Sequence, residues 1–367
     1  MRLAAIACLV LSCTLAATAQ NSQASKWPTK DNLYVIHDFR FGSGETIPEL
    51  ILHYLTLGQP HRGADGHVDN AILLLHGTGG DRRTLLNPVF SDVLFGPGQP
   101  FDITKYFLIL PDDIGHGDSS KPSDGLHMKF PQYDYDDMVR SQYIMLTEGI
   151  HVDYLRLILG TSMGCMQSWV WGETYPQFMD ALAPFACYPV ELAGRNRMTR
   201  YIAIESIKHD PAWKDGEYTT QPVEGLRGAE AMLLVMGSSA LQMQKNYPTR
   251  AQAEKYVDDY MARTISHADA NNLIYYVNAS RNYNPEPKLS SIVAPALWIN
   301  SADDFINAPE LGQQLINARV LPKMPRTRFI LLPITDATRG HGTHTQAAIW
   351  KDELIKFMAE TEKRNGQ

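Results

Sequence analysis

Short runs of apolar residues, each followed by a turn or a helix-like stretch, are the feature that most limits what this 367-residue chain can become. Strand-like runs are LILHYLTLG (50–58), AILLLHG (71–77), YFLILPD (106–112), LRLILG (155–160), DALAPFACY (180–188), ALWIN (296–300) and RFILLP (328–333). Several are continuous rather than alternating, as expected of strands covered on both faces. Helical patterns such as DMVRSQYIMLTEGI and MQSWVWGETYPQFM lie between them. That rhythm predicts an α/β chain with a mostly parallel central sheet flanked by helices. From about Val190 to Pro287 the strand-like runs give way to polar helices with scattered Met, Tyr and Trp. We read residues 30–189 and 288–362 as the core, and 190–287 as a helical lid insertion.

A hydrophobic content of 44% with 20% charged residues describes a globular protein with a substantial core. The formal net charge of -7, without a cluster of Lys and Arg, argues against nucleic acid as a partner. Residues 1–19 carry Arg2, an apolar run from Leu3 to Leu15 and the small residues Ala17-Thr18-Ala19. That layout predicts a cleaved signal peptide and a secreted or periplasmic protein. The run is too short for a stable membrane span, which needs about 20 residues. Cleavage would leave Cys165 and Cys187, whose apolar neighbours suggest two small buried hydrophobes rather than a disulfide.

The stretch LRLILGTSMGCMQSWVWGE (155–173) passes from strand to helix through Gly160-Thr161-Ser162-Met163-Gly164. A serine at such a turn is held in a strained backbone conformation, and small residues two positions away let strand and helix pass closely. Ser162 is therefore the candidate nucleophile. Its hydroxyl needs a base, and the base needs a carboxylate to orient it. The run ALWINSADDFINAPE supplies Asp303 and Asp304. Asp304, before Phe305-Ile306, is preferred as the acid, leaving Asp303 as a solvated turn carboxylate. RFILLPITDATRGHGTHT supplies His341 and His344, and the glycine-flanked His341 is preferred as the base. The His-x-x-His spacing has no third ligand at typical zinc spacing, so no metal is expected. The turn LLLHGTGGD (73–81) can aim the Thr78 amide, alongside that of Met163, at a developing oxyanion. No Lys follows it in phosphate-loop spacing, so no cofactor is expected there. His76 and His116 are read as loop-shaping residues.

With those residues in place, the chain resembles the α/β-hydrolase superfamily, and within it the homoserine O-acetyltransferase family. GTSMGCMQSWVWGETYP is similar to that family's nucleophile region, which usually reads G-G-S-M-G-G-M-Q. IKHDPAWKDGEYTTQPVEGL and DANNLIYYVNASRNY are similar to segments of its insertion. The resemblance implies an α/β-hydrolase fold, the triad Ser162, Asp304 and His341, and a possible homodimer through the lid. Two departures bear on substrate. The family's T-Y-R-S segment, whose Arg is expected to hold the amino-acid substrate, corresponds to VMGSS (235–239), with Ser238 where the Arg would fall. Cys165 replaces a glycine. A serine offers a carboxylate far less than a guanidinium does, and acetyl-CoA is not expected outside the cytoplasm. The reading is an exported serine hydrolase acting on a small-molecule ester. Acyl transfer from an acyl-CoA to an alcohol is the first alternative and a non-catalytic binding protein the second. Trp213, Met232, Met236, Met243, Tyr247 and Tyr276 are expected to border an apolar acyl pocket.

Overall fold

The computed structural model describes residues 26–64 and 66–361. The expected signal peptide therefore lies outside the described residues. Eight strands form one sheet: β1 (Lys30–Arg40), β2 (Thr46–Leu57), β3 (Ala71–Leu75), β4 (Phe107–Pro111), β5 (Leu157–Thr161), β6 (Leu182–Phe185), β7 (Ala296–Ser301) and β8 (Thr327–Leu332). Their order is β1-β2-β4-β3-β5-β6-β7-β8. β1 pairs antiparallel with β2, and β2 antiparallel with β4; the other pairings are parallel.

The continuous apolar runs have a direct cause. Along β3 every residue is buried. Ala71, Leu73 and Leu75 join the core on one face, while Ile72 and Leu74 join the core on the other. Helix α1 (Pro88–Leu94) contributes Phe90 and Leu94 to the second of these cores. Helices α2 (Tyr135–Ile144) and α3 (Met163–Thr174) contribute Met138, Val139 and Trp169 to the first. Each face of the parallel sheet is thus sealed by helix, so alternation with polar residues has no place there.

Between β6 and β7 the chain leaves the sheet. It forms α4 (Gly194–Lys208), α5 (Val223–Gly237), α6 (Ala240–Asn246), α7 (Arg250–Ile265) and α8 (Ala270–Asn278). These helices have a core of their own, built on Ile204, Ile207, Leu226, Leu273 and Val277. After β7 comes α9 (Pro309–Leu315), and α10 (Ala347–Glu360) ends the described fold, with Trp350 and Phe357 packed beside α1. Among the described residues no helix is long and apolar enough to cross a membrane.

Three local expectations are corrected. β1 was absent from the strand reading because an edge strand with most of its residues exposed or half-exposed leaves only a faint apolar alternation. Helix α3 stops at Thr174, since Pro176 cannot continue it and pushes Tyr175 out of the helical region. Cys165 and Cys187 are bonded as a disulfide. Both are fully buried, as their apolar neighbours suggested, yet the pairing brings α3 and the segment after β6 together. Sequence alone gives no distance between two such positions.

Candidate active site

The strand ends of the sheet build the site. Ser162 follows β5 at φ 55°, ψ -108°, outside the regions ordinary residues adopt. Its backbone is fixed on both sides: its N–H donates to Phe185 O at 2.9 Å and its carbonyl accepts from Met166 N at 3.2 Å. The two flanking glycines are needed for close approach. A Cβ on Gly160 would collide with the Gly164 carbonyl, and one on Gly164 would collide with the backbone of Leu75.

His341 lies in the loop between β8 and α10. Its Nε2 is 2.7 Å from Ser162 Oγ, and its Nδ1 is 2.8 Å from Asp304 Oδ2. Asp304 lies in the turn just after β7 and is 1% exposed. Its carboxylate also accepts from the amides of Ile306 and Asn307 at 2.8 and 3.0 Å and from Asn307 Nδ2 at 3.1 Å. Burial pushes the Asp304 carboxyl up, but the His341 ring and these donors outweigh it and hold the pKa below the ordinary value. An ionised Asp304 can only accept, so we assign the proton to His341 Nδ1. Nε2 is then a bare acceptor for the Ser162 hydroxyl.

The competing residues of each pair fall elsewhere. His344 packs edge-on to His341 with ring centroids 5.1 Å apart, and burial lowers its pKa to about 3. It stays neutral and has no bond to Ser162. Asp303 is not the solvated turn carboxylate that the sequence suggested. It is 7% exposed and bonded to Ser301, Ser239 and Gly340. Two of these partners, Ser239 at the α5–α6 joint and Gly340 in the loop before α10, are distant in the chain, so the local pattern Ala-Asp-Asp-Phe carries no trace of them.

The glycine-rich turn after β3 runs beside Ser162; a Cβ on Gly77 would come within 3.2 Å of the Ser162 Cβ. The Thr78 amide makes no hydrogen bond among the described residues. The Met163 amide opens α3, where the first turn of a helix leaves its N–H groups unpaired. This turn is anchored from below. Arg82, 3% exposed, pairs with Asp112 at 2.5 Å, Asp118 at 2.6 Å and Asp31 at 3.0 Å. His76 Nδ1 is 2.8 Å from Gly77 O, and its Nε2 accepts from Asp113 N at 3.4 Å. His116 bonds Ile114 O through Nδ1 at 3.0 Å, and burial lowers its pKa to about 3, so it too remains neutral. Asp113, Gln142, Gln167 and Trp171 form a buried network that sequence reasoning missed. Its only signal was polar residues at positions facing apolar ones.

Above Ser162 opens a cavity of about 680 Å³, closed on its far side by α4, α5, α7 and α8. Of the six expected apolar residues, Met236 and Tyr276 line it. Trp213 is buried in the insertion's own core with Nε1 on Asn271 Oδ1. Tyr247 stacks on Tyr256, Met243 lines a separate recess of about 300 Å³, and Met232 is in neither cavity. Helical spacing could not show which face of each helix turns inward. Charged groups do line the cavity: Arg200 from α4 and Glu230 from α5 are 7% and 6% exposed. Arg200 donates to Asn196 Oδ1 at 2.9 Å and Val277 O at 3.4 Å, with no carboxylate at ion-pair distance among the described residues. Glu230 accepts from Tyr260 OH at 3.5 Å, and burial raises its pKa. Gly237, rather than Ser238, faces the cavity from the segment where an Arg was sought.

Residues 70–333 match the family model described as "alpha/beta hydrolase fold". A probable acyltransferase of Methanothermobacter thermautotrophicus is 27% identical over 326 residues, which cover 89% of this chain and 96% of that one. The crystal structure of a homoserine O-acetyltransferase from Bacillus anthracis superposes with a TM-score of 0.79 at 22% identity, covering 91% of this chain and 98% of that one. The structure of the acetyl esterase MekB gives a TM-score of 0.74 at 25% identity, covering 90% and 96%. The chain belongs to the α/β-hydrolase fold family. It is an enzyme of the serine esterase or acyltransferase type and resembles the homoserine O-acetyltransferases, which also match it in sequence.

Proposed function

We propose that this protein is an exported serine hydrolase that cleaves a small ester through an acyl-enzyme on Ser162. The observation that carries this reading is the unbroken series Asp304–His341–Ser162, at 2.8 and 2.7 Å, ending on a cavity. His341 Nε2 takes the hydroxyl proton as Oγ attacks the ester carbonyl. Asp304 stabilises the imidazolium that results. Negative charge on the carbonyl oxygen is met by the amides of Thr78 and Met163, each such donor contributing about 3 kcal/mol. His341 returns its proton to the departing alcohol. Water then repeats the sequence on the acyl-enzyme and frees the acid.

A second reading uses the same acyl-enzyme, formed from an acyl-CoA with the coenzyme A thiol leaving in place of the alcohol, and resolved by an acceptor alcohol in place of water. Arg200 favours it, because a buried guanidinium facing the cavity without an ionic partner suits an acceptor that carries a carboxylate. The same contact would equally hold the alcohol half of an ester being hydrolysed, so Arg200 speaks for an anionic substrate in either case. The relatives include both acyltransferases and an acetyl esterase.

Export is supported by residues 1–19 and by the Cys165–Cys187 disulfide, which suits an oxidising compartment. Mass measurement of the secreted chain should find Gln20 as the new N-terminus. Met198, Tyr201 and Ile202 leave a strongly exposed apolar stripe on α4. It suits a homodimer through the insertion, and Tyr201→Glu should then halve the mass in light scattering.

The deciding experiment incubates wild type and Ser162→Ala with a fluorophosphonate, then with acetyl esters and acetyl-CoA in the presence of candidate alcohols. Wild type should be labelled once and should hydrolyse the esters; Ser162→Ala should do neither. Labelling that persists in Ser162→Ala would refute the proposal. Acetyl transfer from acetyl-CoA outrunning hydrolysis would establish the second reading.

A further inference from the structure

Two adjacent carboxylates follow strand β7, and only Asp304 touches the imidazole. Asp303 uses both of its oxygens elsewhere. Oδ1 accepts from Ser301 Oγ at 2.6 Å. Oδ2 accepts from the Gly340 N–H and from Ser239 Oγ, each at 2.9 Å. Gly340 is the residue immediately before His341. Ser239, 1% exposed, is the residue immediately before α6 in the insertion. One carboxylate oxygen therefore ties the loop that bears the imidazole to the helices that roof the cavity.

The surfaces around this tie are in close contact. Gly340 has φ +62°, and a Cβ there would come within 2.9 Å of the Ser238 carbonyl group and of Ser239 N. Further along α6, Gln242 Nε2 donates to Asp336 O at 3.1 Å and Lys245 pairs with the Asp336 carboxylate. Helix α6 is thus docked along residues 336–340. Helix α5, joined to it through Ser238 and Ser239, lines the cavity with Leu233, Met236 and Gly237.

We propose that Asp303 is a positioning residue: it sets where His341 stands relative to Ser162, and makes that position depend on how the α5–α6 joint of the insertion is seated. The inference rests on the reading that Ser162 and His341 carry the reaction. Asp304 fixes the rotation and tautomer of the ring but not the backbone that bears it. At Gly340 that backbone is left-handed, and its N–H is held by Asp303. Burial raises the Asp303 carboxyl, but the Ser301, Gly340 and Ser239 donors together hold it below its ordinary pKa. The group is therefore ionised, and its hydrogen bonds are of the strong, charge-assisted kind. A misplacement of about 1 Å at a reacting group can cost on the order of 100-fold in rate. A group that filled space alone would register in folding and leave turnover untouched.

The test compares wild type, Ser239→Ala, Ser239→Thr, Asp303→Asn and the double variant Asp303→Asn/Ser239→Ala in the full mature chain. Turnover of p-nitrophenyl acetate is divided by the number of sites titrated with a fluorophosphonate, and thermal midpoints are recorded alongside. Ser239→Ala should lower kcat about 10-fold with KM nearly constant, and Asp303→Asn about 100-fold, both within the reach of small displacements. Ser239→Thr, which keeps the hydroxyl, should recover most of the loss. The double variant should be no slower than Asp303→Asn, because the two groups act as one tie. Wild-type kcat per titrated site in Ser239→Ala and Asp303→Asn would overturn the proposal, and so would losses that multiply in the double variant. Ser162→Ala, run in parallel, separates the two levels: hydrolysis that survives in it would overturn the parent reading and this inference with it.

Discussion

The Ser162, His341 and Asp304 side chains bond one another at short distances, whereas across the cavity the insertion buries Arg200 and Glu230 without ionic partners among the described residues. The first wall is assembled from strand ends. Its serine, imidazole and carboxylate are held by the segments that follow β5, β8 and β7, and the glycine-rich turn beside them is anchored by an ion cluster on Arg82. The second wall comes from helices with a separate core. A wall whose groups bond one another is organised before any substrate arrives, as transition-state stabilisation requires. A wall whose charges are unpaired gains most from a substrate that supplies the missing partner. On the proposed function, chemistry and choice of substrate are carried by different parts of the chain.

The largest effect is expected at the organised wall. Asp304→Asn keeps size and most hydrogen bonds but removes the acceptor that fixes the His341 tautomer. It should lower kcat on the order of 10,000-fold while leaving the fold intact. Circular dichroism and ester turnover measured on the same sample check both halves. A loss of only a few-fold would mean that another group orients His341, and the wall would not be a closed unit.

A smaller effect separates folding from chemistry on that same wall. The Cys165–Cys187 bond spans 22 residues and joins α3 to the segment after β6. Replacing both cysteines by serine should remove about 3 kcal/mol of stability in urea unfolding. Turnover per folded molecule should change little, because Ser162 remains held by Phe185 O and the two glycines. A collapse of turnover in molecules still folded would show that the bond helps place the nucleophile.

The opposite wall is probed by Arg200→Met. Charge-assisted hydrogen bonds contribute about 1.5–3 kcal/mol each. The preference for an acetyl ester with a carboxylate on its alcohol half, over a neutral ester of equal length, should therefore fall about 10- to 100-fold in kcat/KM. Turnover of the neutral ester should stay close to wild type. Equal losses on both esters would place Arg200 in general folding and not in recognition.

What the sequence disclosed follows the same division. The sheet was legible because strands sealed on both faces are buried at every residue, as β3, β4, β5 and β7 are, and so carry runs of consecutive apolar residues. Ser162 was legible because a strand-to-helix turn demands glycine at 160 and 164, a purely local steric need. Asp303 was misread because its partners Ser239 and Gly340 are 64 and 37 residues away. The disulfide was misread for a similar reason. In the insertion, helical patterns gave the helices but not their rotation, so Met243 and Tyr247 were expected where Arg200, Glu230 and Arg263 line the cavity. Local sterics write themselves into neighbouring letters; contacts between distant elements do not.

The smallest effect concerns Glu230, and its sign discriminates between the walls. Burial raises its pKa, and the Tyr260 hydroxyl only partly opposes the shift. In the unfolded chain the group titrates at the ordinary glutamate value. As pH climbs from that value toward the raised one, the unfolded state ionises first, so the folded state loses stability across this window. Above the raised value the loss is fully developed. Glu230→Gln should therefore raise the thermal midpoint at neutral pH, with the gain shrinking as pH falls and vanishing below the ordinary carboxylate range. Asp304 should behave oppositely: its lowered pKa adds stability above the ordinary carboxylate range that is lost as pH falls through the folded value. A Glu230→Gln gain that ignored pH would mean that the carboxyl is matched within the protein, and the contrast between a satisfied wall and an unsatisfied one would fail at that residue.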